Sequence, residues 1–161
     1  MSRPRFALYR SLLLVACSLI GAGCAHDTYQ ERANLIKNHA DAFYDSLKTN
    51  RVESAIRDNE QIEAMASQMG DTVRKRASQQ GTTSVEREFA LMNTANEAAA
   101  TNWLALGQYF TIKRQYLQAR TTYRRVIDTY TNPTDRPYRE QALRALKDLD
   151  MLNPPTTTTN P

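Results

Sequence analysis

The chain has 161 residues, which is enough for one domain with a hydrophobic core but too few for two domains of ordinary size. It carries 21 Lys and Arg against 17 Asp and Glu, and its formal net charge is +4. Three of the cations lie within the first ten residues, so the rest of the chain is almost neutral. We therefore predict no nucleic-acid partner, because phosphate contacts require cations clustered on the folded domain.

The N-terminal segment has the organisation of a secretion signal. Arg3, Arg5 and Arg10 make its start positively charged, and residues 11–23 form an uncharged, largely apolar run. As a helix this run is about 20 Å long, whereas a bilayer core needs about 20 apolar residues. The run is therefore too short for a permanent membrane span and has the length of a cleaved signal peptide, residues 1–23.

Small side chains at Gly21, Ala22 and Gly23 stand immediately before Cys24. This segment resembles the lipobox of bacterial lipoproteins, in which small residues precede an obligatory cysteine. The resemblance implies cleavage before Cys24, a diacylglycerol on its sulfur and usually a third acyl chain, such as palmitate, on the new amine. Two or more chains anchor a protein stably to a membrane. No cofactor is expected apart from this covalent lipid.

Two alternatives to lipidation at Cys24 stay open at this point. Lipoboxes usually carry Leu three residues before the cysteine, and the Leu14 that precedes Cys17 fits that rule better than Gly21 does. Use of Cys17, however, leaves a short apolar segment that covers only residues 11–16. The other alternative is an ordinary secretory signal followed by an incidental cysteine. No cysteine follows Cys24, so a disulfide within the mature domain is excluded.

The residues that follow Cys24 bear on the destination of the mature protein. In Gram-negative lipoproteins, an Asp directly after the cysteine tends to retain the protein in the inner membrane. Here Ala25 and His26 come before Asp27. The resemblance therefore implies a lipid-anchored protein of the outer membrane, most often on its periplasmic face. Residues 24–28 are then the lipidated N-terminus and tether.

Beyond this tether, apolar residues recur at helical spacing and never alternate over the length of a strand. The first predicted helix covers about residues 29–48, with Thr28 and Glu31 forming a capping box at its start. The second covers about residues 52–69 and ends at Gly70 as a C-cap. The acidic residues of the second helix are interpreted as its solvated face: Glu53, Asp58, Glu60 and Glu63.

Residues 71–83 are polar and are interpreted as a linker or a frayed helix. Thr83 and Glu86 form another capping box ahead of a third helical pattern. This pattern is either one long helix or two helices with a break near Thr101 and Asn102. Its predicted inward-facing residues are Val85, Phe89, Met92, Ala95, Ala99, Trp103, Leu106 and Phe110.

A fourth helix is predicted over about residues 116–131, and a fifth starts near Pro137, a residue suited to the first turn of a helix. The predicted helical domain therefore spans residues 29–152. Residues 153–161 consist almost entirely of Pro, Thr and Asn. This tail has almost no apolar surface to offset the entropy of ordering and is expected to be disordered.

Residues 100–134 carry six residues at the spacing of one repeat motif, followed by Pro133 two residues later than the usual place. The six are Trp103, Leu106, Gly107, Phe110, Ala119 and Tyr123. The spacing resembles that of the tetratricopeptide repeat. Small residues at Gly107 and Ala119 allow two antiparallel helices to approach closely. The large residues of the motif fill the seam around that crossing, and Trp103 closes its end.

The resemblance implies an all-α fold of antiparallel helical hairpins, arranged as a short tetratricopeptide-repeat-like solenoid with a C-terminal capping helix. The first two helices are interpreted as a degenerate repeat, with Phe43 and Ala55 near suitable places. In such repeats, the first helix of each hairpin lines a concave surface that binds partner peptides. The corresponding partner-binding residues of this chain are Thr101, Leu104, Gln108 and Thr111.

An exposed Leu104 is the clearest sign of a binding patch that this sequence offers. The fourth helix adds Arg120, Arg124 and Arg125 as a small basic stripe. This stripe is interpreted either as a contact for an acidic partner segment or lipid headgroups, or as a solvated outer face.

Residues suited to catalysis are scarce. His26 and His39 have no further histidine or cysteine at ligand spacing, so we predict no metal site, and His39 is interpreted as a solvated helix position. The chain lacks a glycine-rich phosphate loop and a nucleophile-elbow motif. We therefore predict neither enzymatic activity nor a small-molecule substrate.

The predicted design is similar to that of the repeat-containing lipoproteins of barrel assembly and of the pilotins of pilus and secretion systems. It favours a membrane-anchored lipoprotein that acts as a protein–protein interaction scaffold or adaptor in a cell-envelope assembly. The partners expected are envelope proteins and the membrane itself. The alternatives are a structural, self-associating envelope lipoprotein without a peptide-binding groove and, third, an enzyme or a small subunit of one.

Overall fold

The computed structural model describes residues 24–77 and 82–154, and the regular secondary structure of these residues is entirely helical. The all-α fold class predicted from the sequence is therefore confirmed. Three predicted segments lie wholly or partly outside the described residues. They are the signal peptide (residues 1–23), residues 78–81 of the linker and residues 155–161 of the tail.

The described residues form five α-helices and one 3-10 turn. They are α1 (Cys24–Lys48), α2 (Val52–Ala77), α3 (Thr82–Ile112), α4 (Tyr116–Thr129), the turn Pro133–Asp135 and α5 (Arg136–Leu152). Within the described residues, none of the helices is both long enough and apolar enough to cross a membrane.

The described residues divide into two units, one up to Leu35 and one from Ile36 onward, and the boundary falls within α1. The described part of the first unit is helical, and Gln30 Nε2 donates a hydrogen bond to Asn34 Oδ1 along the helix surface at 3.1 Å. The second unit contains the remainder of α1 and all the other helices.

Helix α3 lies at the centre of the second unit, where it packs against α2, α4 and α5. Packing of α2 on α3 is antiparallel, because Asn59 meets Asn102 near one end of the contact and Gly70 meets Met92 near the other. Ala95, Ala99, Ala100 and Leu106 of α3 are completely buried. Alanines at these positions let neighbouring helices come close to the α3 backbone.

Two turns of the same geometry join α1 to α2 and α3 to α4. One residue with left-handed backbone ends the first helix of each pair: Asn50, with φ 60°, and Arg114, with φ 59°. Its N–H donates to the carbonyl three positions earlier (3.1 and 3.0 Å), and the next N–H donates to the carbonyl five positions earlier (2.8 Å in both). This Schellman arrangement satisfies carbonyls that a helix end leaves free. The predicted end of the first helix at residue 48 is confirmed.

These turns place equivalent positions of the two hairpins 64 residues apart, from Asn50 to Arg114. The same offset relates Ala55 to Ala119 and Ile62 to Val126, and all four side chains are fully buried. The offset exceeds the 34 residues of a tetratricopeptide repeat, because α2 and α3 are 26 and 31 residues long.

The seam of each hairpin balances one large and one small residue. A Cβ atom added to Gly107 of α3 would stand within 2.8 Å of three ring atoms of Tyr123 on α4, so only glycine leaves room for this ring. The equivalent positions of the first hairpin hold Phe43 on α1 and Asn59 on α2, both completely buried. The larger residue of the pair is thus Tyr123 on the second helix of the second hairpin, but Phe43 on the first helix of the first hairpin.

Several predicted helix boundaries are wrong. Helix α1 begins at Cys24, so Thr28 lies inside the helix and does not cap it. Helix α2 continues through Gly70 to Ala77, so residues 71–77 are helical rather than a linker. Gly70 is buried, and a Cβ atom there would meet Met92 Sδ at 3.3 Å, so its small size serves the packing of α2 on α3.

Helix α3 is continuous from Thr82 to Ile112, which decides between the two alternatives left open by the sequence. Its predicted inward face is wrong at Phe89, which is 48% exposed, while Leu91 is buried. The reason is that α4 and α5 meet α3 near Gly107 and Thr101, in its C-terminal half. The N-terminal half of α3 therefore has fewer neighbouring helices than the C-terminal half, so fewer of its side chains are buried and Phe89 remains exposed.

We expect Gly107→Ala to destabilise the protein by about 1–3 kcal/mol, because the added methyl group overlaps the Tyr123 ring. Gly70→Ala is the matched control, since its nearest neighbour is the flexible side chain of Met92. Alanine also favours helix by about 1 kcal/mol over glycine, so Gly70→Ala should be neutral or stabilising. Urea unfolding followed by circular dichroism measures both; equal effects at the two positions contradict the close-approach explanation.

Candidate functional site

The four residues predicted to bind a partner do not form one exposed patch. Thr101 and Gln108 are exposed on α3, Thr111 is half-buried, and Leu104 is 7% exposed. Thr101 lies beside the Tyr138 hydroxyl of α5, so α5 covers this part of α3. Leu104 is therefore a core residue, and the exposed leucine that marks a binding patch is not found at this position.

The six residues of the predicted repeat motif that precede Pro133 are buried. Trp103, Phe110 and Tyr123 are at most 8% exposed, and Leu106 and Ala119 are completely buried, as is the backbone at Gly107. Their burial agrees with the seam that the motif predicted between α3 and α4. Burial raises the pKa of the Tyr123 hydroxyl, which a hydrogen bond from Thr111 partly offsets.

The basic stripe predicted on α4 is divided among different contacts. The guanidinium of Arg120 forms an ion pair with Asp150 of α5 and donates to the Asn153 carbonyl at 3.1 Å. Arg125 turns toward α2, and only Arg124 is exposed among the three. The stripe is thus neither a continuous cationic surface nor a solvated face, because two of its members fasten α4 to its neighbours.

The carboxylate of Glu63 on α2 joins three helices. Its Oε1 accepts hydrogen bonds from Trp103 Nε1 of α3 at 2.7 Å and from the hydroxyl of Tyr130, which follows α4, at 2.8 Å. Its Oε2 accepts from Arg125 Nη2 at 2.7 Å. The side chain of Glu63 is only 21% exposed, so its interpretation as a solvated residue is wrong. Charged hydrogen bonds of this length are the stronger kind in proteins.

Arg125 covers Trp103 as well as binding Glu63. Its Cζ atom lies 4.0 Å from the centroid of the indole ring, which is a cation–π contact. Its Nη1 also lies 3.7 Å from Glu60 Oε1, and its buried Nε has no hydrogen-bond partner. The indole is therefore held through its N–H by one helix and across its face by another.

A second polar bridge joins α2 and α3 inside the core. Asn59 Nδ2 donates to the Ala99 carbonyl at 3.1 Å, and Asn102 Nδ2 donates to Asn59 Oδ1 at 2.9 Å. Asn59 is completely buried, and Asn102 is 1% exposed. The sequence contained a sign of this bridge, because Asn59 lies in helical register with Ala55 and Ile62. A polar residue on an apolar stripe requires a partner from another element.

His39 and Asp58 connect α1 with α2 in the second unit. Their Nδ1 and Oδ1 atoms are 3.0 Å apart, and both side chains are about one-quarter to one-third exposed. The predictions that both residues are solvated positions are therefore wrong. The residue types gave no sign of this contact, because it depends on the register of the first hairpin.

A cleft of about 440 Å³ opens where α4 ends. Glu63, Ala66 and Arg74 of α2, Met92 and Asn96 of α3, and Tyr130 and Asp135 after α4 line it. Burial raises the pKa of Tyr130, and the carboxylates of Glu63 and Asp135 raise it further. The hydroxyl of Tyr130 donates to Glu63, and Asp135 lines the same cleft.

The described residues contain no group of three or more His, Cys, Asp or Glu side chains placed to hold a metal ion. Comparison of the chain with protein-family models, curated proteins and solved structures gives no match.

We expect Glu63→Ala to destabilise the protein by about 1.5–3 kcal/mol, because it leaves the donors of Trp103, Tyr130 and Arg125 without their acceptor. Glu60→Ala is the matched control, since Glu60 is half exposed and stands 3.7 Å from Arg125. Its effect should stay below about 1 kcal/mol. Urea unfolding followed by Trp103 fluorescence measures the free energy of unfolding of both variants. If Glu63→Ala lowers it no more than Glu60→Ala does, Glu63 does not join the three helices.

We expect the free energy of unfolding to fall as the pH rises above 10, in part because of Tyr130. The pKa of Tyr130 in the folded protein is raised above the ordinary value of 10.0. Its contribution to the free energy of unfolding is therefore complete below pH 10 and is lost at higher pH, where the unfolded chain releases the phenol proton and the folded protein retains it. Tyr130→Phe should make this decline shallower. Urea unfolding across the alkaline range tests it, and identical slopes for the two proteins exclude the contribution.

Proposed function

We propose that this chain is a membrane-anchored lipoprotein whose helical domain is a protein–protein interaction scaffold or adaptor in a cell-envelope assembly. The observation that carries the proposal is the firm joining of the two hairpins by Glu63, Asn59 and Arg125. A surface held in place before binding loses little conformational entropy when a partner docks. Assemblies of the barrel-assembly, pilus or secretion type are the proposed setting.

The anchor in this proposal is Cys24, at the start of α1. Support comes from the small residues before it and from the charged and apolar segments that precede them. The spacing of Asp27 from the cysteine favours the outer membrane, with the domain on the periplasmic side.

The second hairpin is proposed to be tetratricopeptide-repeat-like. Supporting this are the buried motif residues and the contact of Gly107 with the Tyr123 ring. The first hairpin is proposed to be a lengthened relative of the second, since both close with the same turn. In this arrangement α5 is the terminal cap, although Leu143 is 53% exposed on it.

One observation favours the alternative of a self-associating lipoprotein. Ile112 and Leu117, on either side of the α3–α4 turn, are 73% and 75% exposed, and Met151 and Leu152 at the end of α5 are 69% and 64% exposed. Exposed apolar groups of this size often belong to interfaces. The two functions differ in oligomeric state, because an adaptor stays monomeric until its partner is present.

Lipidation is tested by expressing the full chain and its Cys24→Ala variant in a Gram-negative host. We expect the wild type to float with outer-membrane vesicles and to gain the mass of a diacylglycerol and a third acyl chain. The variant should lose both properties. A Cys17→Ala variant serves as the control and should retain them; loss of the lipid in Cys17→Ala instead assigns the lipid to the other cysteine.

The adaptor role is tested by photo-crosslinking in living cells, with a benzophenone residue at Gln108 on the predicted binding helix. We expect one envelope protein to be captured from this position. Arg124, also exposed but on the outer side of the next helix, is the matched control and should capture nothing. Equal capture from both positions argues against the α3 surface. Crosslinks only between copies of this chain support self-association instead.

A further inference from the structure

The cleft at the end of α4 contains a carboxylate that is poorly satisfied by the protein. Asp135 is 6% exposed, yet its side chain does not cap α5, although it occupies the N-cap position. The hydrogen bond that it accepts comes from Thr134 Oγ1 at 3.4 Å, longer than hydroxyl hydrogen bonds usually are. A buried carboxylate is costly unless a cation or strong donors face it.

Glu63 adds a second carboxylate to the same cleft. Tyr130 lines the same cleft as both carboxylates, and its hydroxyl donates to Glu63 Oε1 at 2.8 Å. The one cation that lines the cleft, Arg74, is 74% exposed in its side chain and forms an ion pair with Asp71 on the same helix. Glu63 already forms an ion pair with Arg125, so Asp135 is the carboxylate of the cleft that has no ion-pair partner among the described residues.

The walls also suit a long side chain. Ala66 and Met92 provide apolar surface, while Asn96 and Tyr130 provide polar groups farther along. Lys and Arg side chains combine an apolar stem with a cationic end and use both kinds of surface. A bare metal ion fits less well, because the described residues offer no set of three ligands.

We propose that this cleft receives the side chain of a Lys or Arg from a basic segment of the partner protein, with its cationic end beside Asp135. The inference rests on the proposed adaptor function and names the chemistry of the partner. It places the docking point between α2, α3 and the end of α4, away from the exposed surface of Gln108.

Trp103 reports on this binding, because it is the single tryptophan of the chain and its N–H donates to Glu63. The experiment titrates the ¹⁵N-labelled full chain, purified in detergent, with the peptide acetyl-Ala-Lys-Ala-amide and follows the one indole N–H signal. We expect a saturable shift. The same peptide with N-acetyl-lysine keeps the shape but not the charge and should give none; equal shifts overturn the proposal.

Titration with a free diamine, 1,5-diaminopentane, tests whether the cleft prefers a lysine within a peptide or a small free cation. We expect the peptide to bind more tightly, because the residues around its lysine add contacts with the cleft walls that the diamine lacks. Tighter binding of the diamine overturns the assignment to a protein partner.

Asp135→Asn should weaken peptide binding at least tenfold. Asp128→Asn, which removes an exposed carboxylate of α4 outside the cleft, is the matched control and should leave binding unchanged. If Asp135→Asn does not fold, Ser67→Lys serves instead, because Ser67 is exposed at the cleft and a lysine there occupies it from within the chain. Binding unaffected by either substitution refutes the site.

The peptide titration and the crosslinking test of the proposed function can fail independently of each other. Peptide binding by the purified chain needs no cellular partner, whereas crosslinking at Gln108 needs no cleft. A partner captured in cells with no peptide binding in vitro overturns the cleft alone. Peptide binding without a partner captured at Gln108 keeps the cationic site and overturns the placement of the partner on the α3 surface.

Discussion

The carboxylate of Glu63 is the interaction on which the rest of the second unit depends. It belongs to the first hairpin, and all three of its donors belong to the second hairpin or to the residue that follows it. Hydrophobic contact between helices is non-directional and tolerates sliding, whereas three hydrogen bonds to one carboxylate fix a register. Arg125 reinforces that register by stacking on the Trp103 ring that Glu63 holds.

The core beneath this network shows why Asn59 is polar. In the second hairpin, Gly107 makes room for the Tyr123 ring, whereas in the first hairpin Phe43 supplies the bulk and Asn59 stands at the position equivalent to Tyr123. The smaller residue leaves the amide free to reach α3, where it contacts the Ala99 carbonyl and Asn102. One exchange of large and small residues thus fills the first seam and connects it to the second hairpin.

Unequal helix lengths connect this architecture to function. Helix α4 has 14 residues, while α2 and α3 have 26 and 31, so α2 and α3 continue past the point where α4 ends. The cleft occupies this step, and Tyr130 and Asp135 stand in it because the chain turns there toward α5. Glu63 therefore fixes the hairpins and lines the cleft, while Asp135 supplies the carboxylate that our proposal assigns to the guest cation.

The sequence alone determined the helical class and the end of the first helix near Lys48, because periodicity and turn chemistry are local properties. It failed at Gly70, at Phe89 and at Glu63. Whether a glycine ends a helix or admits a neighbouring one depends on what packs against it, as Met92 does here. Likewise, the position of Glu63 beside an apolar stripe predicts a solvated side chain, because its three hydrogen-bond donors come from distant parts of the chain. Only the tertiary structure decided these positions and the cleft, since each is made by residues separated by 20 or more places along the chain.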